Sequence, residues 1–172
     1  VRSGTIDSDV VIDDLAQDQW QELLTPQQLN WDTLTWTAGS LSNTYSIGGD
    51  NVSFTVVGDT GSFLAGYPQL STANDGGLSP AQNSLRYFMD FSNGTQQITT
   101  TIAFAHPGGV SGASFSIFDI DTGGFVDEIT ITATTIGGGT VDPSSITIPP
   151  GGTVNIFDTN TVRGTAAVGS GN

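Results

Sequence analysis

The chain has 172 residues and an apolar fraction of 36%, enough for one domain with a sizeable core. Seventeen Asp and Glu stand against three Lys and Arg, a formal net charge of −14. With no basic patch, the chain is a poor match for nucleic acid. No window approaches transmembrane length, which argues against membrane insertion.

The three bases are Arg2, Arg86 and Arg163; there is no lysine and no cysteine. Fifteen of the acids are Asp, and only Glu22 and Glu128 are Glu. Asp suits turns, caps and calcium, whereas Glu suits helices. A chain so rich in Asp, Thr, Ser and Gly is expected to be β-rich. Missing thiols and lysines, together with abundant Thr, Ser and Gly, favour a bacterial extracellular protein. No charged and apolar leader is visible at Val1, so a processed N-terminus is expected.

Taken in order, residues 1–13 read as an N-terminal arm. Val10, Val11 and Ile12 form a short apolar run, and Ile6 alternates into it. Asp13 or Asp14 can cap a helix to about Leu24, with Ala16, Trp20, Leu23 and Leu24 along one face. Thr25-Pro26 is a second, shorter start signal. Helix is expected only within about Asp14–Asn30. The rest of 14–172 is expected to be a single domain.

From Leu34 the pattern turns to two-residue alternation between Gly- and Pro-rich turns. Expected strands are Thr33–Thr37, Asn43–Ile47, Val52–Val57, Arg86–Phe91, Gln97–Phe104, Ser114–Ile120, Glu128–Thr135, Ser145–Ile148 and Thr153–Asp158. Regular short strands with such turns define an all-β, antiparallel sandwich, either jelly-roll or immunoglobulin-like. Trp36 alternates with Leu34 and is expected in the core. Ser62–Pro80 is a long loop, in which Tyr67 is the best exposed aromatic.

The stretch Ser111–Thr135 carries the most specific chemistry. Ala113, Phe115, Ile117, Asp119 and Asp121 share one face by the strand period, which starts apolar and ends in two carboxylates. Asp127 follows after a glycine turn. Carboxylates converging at a sheet rim repel one another, and a calcium ion bound by Asp oxygens, carbonyls and water offsets that. The plainer alternative is a solvated acidic loop. The spacing is not that of an EF-hand.

Catalytic chemistry is poorly provided. The single histidine, His106, excludes a two-histidine metal site, and its FAHPGG setting reads as a turn. Cys and Lys nucleophiles are absent. A carboxylate pair for glycoside hydrolysis remains, but nothing marks one pair out. The chain is not expected to be an enzyme. Asn51-Val52-Ser53 and Asn93-Gly94-Thr95 are sequons that suit glycan attachment to a surface glycoprotein.

The run FSIFDIDTGGFVDEITITA resembles a signature of bacterial extracellular β-sandwich domains: Phe-x-Ile-x-Asp-Ile-Asp, then an Asp and alternating Ile. The upstream LTWTAGSLSNTYSIGGDNVSFTVVG is similar to their opening strands. The resemblance covers roughly Leu34 to Asn155. It implies a secreted or surface-anchored sandwich without an assigned activity. Such domains usually continue past the position of Gly164 with more hydrophobic strands, and Thr161–Asn172 supplies little of that kind.

These readings lead to a structural subunit that forms a filament or matrix with copies of itself. Ile6, Val10, Val11 and Ile12 would supply a strand to the next subunit. The alternative is a calcium-assisted carbohydrate-binding or adhesive surface module.

Overall fold

The computed structural model describes residues 27–73, 76–122, 125–150 and 152–166. The arm, with Ile6, Val10, Val11 and Ile12, and the expected helix as far as Pro26 lie outside these residues. Gln27–Asn30, the end of the expected helical segment, has no regular structure. The Asn30 carbonyl then accepts from Thr33 N–H at 3.1 Å, closing a turn where a strand was expected to begin.

The fold is all-β, and its ladders are antiparallel. The strands are β1 Ser42–Ile47, β2 Asp50–Gly58, β3 Gln69–Ser71, β4 Ser84–Arg86 and β5 Ile98–Phe104. They continue with β6 Glu128–Thr130, β7 Ala133–Thr134, β8 Thr140–Val141, β9 Val154–Asp158 and β10 Thr161–Gly164. One 3-10 turn at Thr60–Ser62 is the only helical element among the described residues. Two three-stranded sheets, ordered β1-β2-β5 and β6-β10-β9, carry the fold, and the ribbons β3-β4 and β7-β8 extend it. No sheet closes into a barrel among the described residues, and two antiparallel sheets of this kind are compatible with a sandwich.

Local chemistry explains the first sheet. Ile47 pairs with Asp50, so Gly48-Gly49 is a two-residue hairpin loop. Their φ angles of 61° and 92° meet the requirement of a primed turn for positive φ at both positions. Along β2 the period is strict: Val52, Phe54 and Val56 are buried, while Thr55 and Val57 are exposed. Trp36, Tyr45, Val52 and Phe54 form the core, with Leu29, Trp31, Leu34, Ile47, Leu70 and Leu85 packed against it. Trp36 is thus a core residue, as its alternation predicts. The Tyr45 hydroxyl donates to the Thr35 carbonyl at 2.7 Å, and burial raises its pKa despite the hydrogen bond from Asn43.

Several expected strands are different in the structure. Thr33–Thr37 and Ser145–Ile148 are not strands, and neither is Ser114–Ile120. The last has no ladder partner among the described residues, and at its end Asp119, whose φ of 62° is left-handed, breaks the pleat. The expected strand at Arg86–Phe91 is displaced to Ser84–Arg86, leaving Met89 in an isolated bridge to Phe63. Glu128–Thr135 divides in two because it changes partner: β6 pairs with β10, and β7 pairs with β8.

The largest correction concerns Thr161–Gly164, expected to add no strand. It is the middle strand of the second sheet, and Thr161, Val162 and Gly164 are buried. Ladder partners on both sides cover it, so a short, mildly apolar segment has the most interior position of that sheet.

Candidate functional site

The acidic loop is built where the Asp119–Asp127 chain folds back against the end of β10. Thr122 and Val126 form an antiparallel bridge that closes the loop. Asp127 N–H donates to the Asp121 carbonyl at 2.9 Å, and Asp121 N–H donates to Asp127 Oδ2 at 3.2 Å. Gly164 N–H donates to the Asp127 carbonyl at 2.9 Å. A Cβ on Gly164 would overlap the backbone of Asp121, so only glycine allows this approach.

Because the pleat breaks at Asp119, the single face expected for Ala113 through Asp121 does not exist as a strand face. Asp119 and Asp121 are nevertheless close enough to act on Asp127. Burial raises the Asp127 pKa above the ordinary carboxylate value, and the charges of Asp121 and Asp119 raise it further; the hydrogen bond from Asp121 N–H opposes them. An acid whose folded pKa is raised weakens the fold as pH climbs through the carboxylate range and deprotonates it. Among the described residues, no three His, Asp or Glu converge as a ready ligand set for a metal ion. One oxygen of Asp127 is already an acceptor for backbone.

The other residues singled out by sequence are placed as follows. Asn51 is exposed on β2, and Asn93 is exposed in a turn where its Oδ1 accepts from Thr95 N–H at 3.0 Å and from the Thr95 hydroxyl at 2.6 Å. Tyr67 is no free platform. It is half-buried, its ring meets Phe88 edge-on at 5.5 Å, and the Arg86 guanidinium lies 5.8 Å from its centroid. His106 lies two residues past β5 and opens a turn, with Nδ1 at 2.7 Å from Asp50 Oδ2 in an exposed pair.

Two features were not legible beforehand. Asp59, Gly61, Ser62, Asp90, Ser92 and Gln96 line an open polar cleft of about 300 Å³ at the end of β2. In sequence Gly58-Asp59-Thr60-Gly61 has only the composition of a turn, and hydrogen bonds such as Gln97 N–H to Asp59 Oδ2 at 2.9 Å shape the loops. The second is the number of large apolar side chains left exposed on strands and extended segments. No family model, curated protein or solved structure matches the chain.

Proposed function

We propose that this chain is a structural subunit of a secreted bacterial filament or matrix, in which copies join head-to-tail by strand exchange. The observation that supports this reading is the open edge of the second sheet at β9. Among the described residues β9 has a ladder partner on one side only; its Ile156 is 49% exposed, and Phe157, with the Arg163 guanidinium over its ring, is still 65% exposed. Burying such a side chain contributes about 1.5–3 kcal/mol.

A strand added beside β9 gains main-chain hydrogen bonds and apolar cover together. The donor is the arm Val1–Ile12, whose Ile6, Val10 and Ile12 fall on one face by alternation, with Val11 on the other. The acceptor is an open sheet edge rather than a groove left by absent closing strands, since β10 fills the sheet. Donor and acceptor surfaces differ, so the contact propagates as an open filament unless it closes into a ring. The composition without cysteine or lysine fits an extracellular setting, and exposed Asn51 and Asn93 are available for glycans. Removing Val1–Ile12 is expected to abolish filaments in negative-stain images while leaving folded protein. Filaments that persist without the arm, or full-length protein that stays monomeric at high concentration, overturn this reading.

The calcium-assisted adhesive or carbohydrate-binding reading draws on one observation, the mutual charge of Asp119, Asp121 and Asp127. Calcium takes six to eight oxygens, and carbonyls and water can complete a set begun by these carboxylates. Calcium is then expected to raise the melting temperature by mass action and chelator to reverse it. The effect should fade as pH falls through the raised range of Asp127, where that ligand is protonated. Asp119→Asn combined with Asp121→Asn should remove it. Identical melting with calcium and with chelator would leave the acids as a solvated loop.

A further inference from the structure

We infer that β5 is a second self-association edge, at which two copies pair β5 to β5 about a two-fold axis through Thr101. This contact is distinct from the arm and from β9.

The first observation is the direction of the backbone groups. The Gln97 carbonyl accepts from Asp59 N–H, and Ala105 N–H donates to the Asn51 carbonyl, both at 2.9 Å and both towards β2. Residues of a strand alternate in direction, so Thr99, Thr101 and Ala103 also point to β2. Ile98, Thr100, Ile102 and Phe104 therefore direct their N–H and C=O groups outward, where no backbone partner meets them among the described residues.

The second observation is the register this permits. Antiparallel pairing about Thr101 sets Ile98 against Phe104 of the second copy and Thr100 against Ile102. Each of these pairs joins outward-pointing residues, so each can exchange two hydrogen bonds, and no proline interrupts the strand. The contact is isologous, and the symmetry closes it as a dimer.

The third observation concerns the side chains. Val52 pairs with Phe104, Phe54 with Ile102 and Val56 with Thr100, so these β5 residues continue the buried face of β2. Cover stops short of the edge: Ile102 and Phe104 are 36% and 41% exposed. An aliphatic residue opposite an aromatic is a favourable cross-strand pair, and the β5–β5 contact places Ile98 against Phe104 at both ends.

Charge points to a second copy as the occupant. A chain of net charge −14 repels its copies, yet no Asp, Glu, Lys or Arg occurs between Asp90 and Asp119. β5 lies inside this uncharged stretch, so two copies can meet there without opposing carboxylates. Edge strands are commonly guarded by lysine or proline, and β5 carries neither.

The test is a single cysteine in the full chain, which has none of its own. In this register Thr101 lies opposite its own copy in a non-hydrogen-bonded pair, with Cα atoms about 4.5 Å apart, inside disulfide range. Thr99 lies four residues out of step with its copy, on the order of 13 Å away. Under oxidised glutathione, Thr101→Cys is expected to give a covalent dimer on a non-reducing gel, while Thr99→Cys stays largely monomeric. In the chain without Val1–Ile12, Thr101→Lys, which sets like charges opposite, is expected to shift sedimenting dimer to monomer. With Val1–Ile12 removed, the Thr101→Cys dimer should persist even where filaments are lost, which separates this contact from the arm. Absence of cross-linking at Thr101, equal cross-linking at Thr99, or cross-linking only after the arm is removed each overturns the proposal; the last would assign the edge to the chain's own arm.

Discussion

Phe54→Ala is expected to lower stability by about 3–5 kcal/mol, the range for deleting a buried aromatic. Phe54 is 6% exposed and stands at the centre of the aromatic core. Trp31, Trp36 and Tyr45 all meet its ring edge-on, with centroids at 5.4, 6.3 and 6.1 Å. Truncation leaves a cavity bounded by rigid rings that cannot collapse into it, and it also removes those ring contacts. Against a total of about 5–15 kcal/mol for an ordinary domain, this loss is severe. Urea unfolding followed by tryptophan fluorescence checks it, because Trp31 and Trp36 line the site. The midpoint should fall with little change in slope. Val57→Ala, on the opposite face of the same strand and 51% exposed, should stay close to wild type. A Phe54→Ala midpoint within experimental error of wild type would mean that this cluster does not hold the fold.

Gly164→Ala is expected to cost about 1–3 kcal/mol, typical of overpacking. The added methyl would run into Asp121, and what it meets there is backbone rather than a side chain that can turn aside. Nor can Asp121 withdraw freely, since its N–H and its C=O are both tied to Asp127. Strain would therefore spread into the acidic loop and the Gly164–Asp127 hydrogen bond. Thermal unfolding measures the cost, and Gly61→Ala is the matched control, with nothing within 4 Å of its added Cβ. Equal melting temperatures for the two variants would contradict the close approach.

Which parts of the fold could be read from sequence follows from where local pattern and tertiary partner agree. β1, β2, β5 and β9 are clear because alternation, strand residues and flanking glycine turns coincide. The Gly48-Gly49 hairpin was equally legible, since little other than glycine supplies two successive positive φ angles. Thr161–Gly164 was not, because its burial comes from neighbours on both sides and its own residues include Arg163. That arginine is accommodated by an ion pair with Glu128 on β6 and by the Phe157 ring on β9, 4.2 Å from its guanidinium carbon. Ser114–Ile120 misled in the opposite direction: its alternation is good, but alternation does not supply a ladder partner. Aspartate is among the residues that tolerate left-handed φ, and Asp119 uses that tolerance. Of the acidic site, the three residues were identifiable from sequence, but their arrangement depends on a loop closure and on Gly164, which lies far along the chain.

The position of β10 at the middle of its sheet has a consequence for the order of folding. As the chain emerges from N- to C-terminus, the first sheet has all its strands once Phe104 is free. β6 and β9 emerge earlier than β10 yet share no ladder with each other; each needs β10 between them. Until Gly164 is out, β6 and β9 are unpaired strands while the first sheet and the β7-β8 ribbon already have their partners. The second sheet can therefore form only after the first has all its strands, and the apolar side chains of β6 and β9 lack their ladder partner until then.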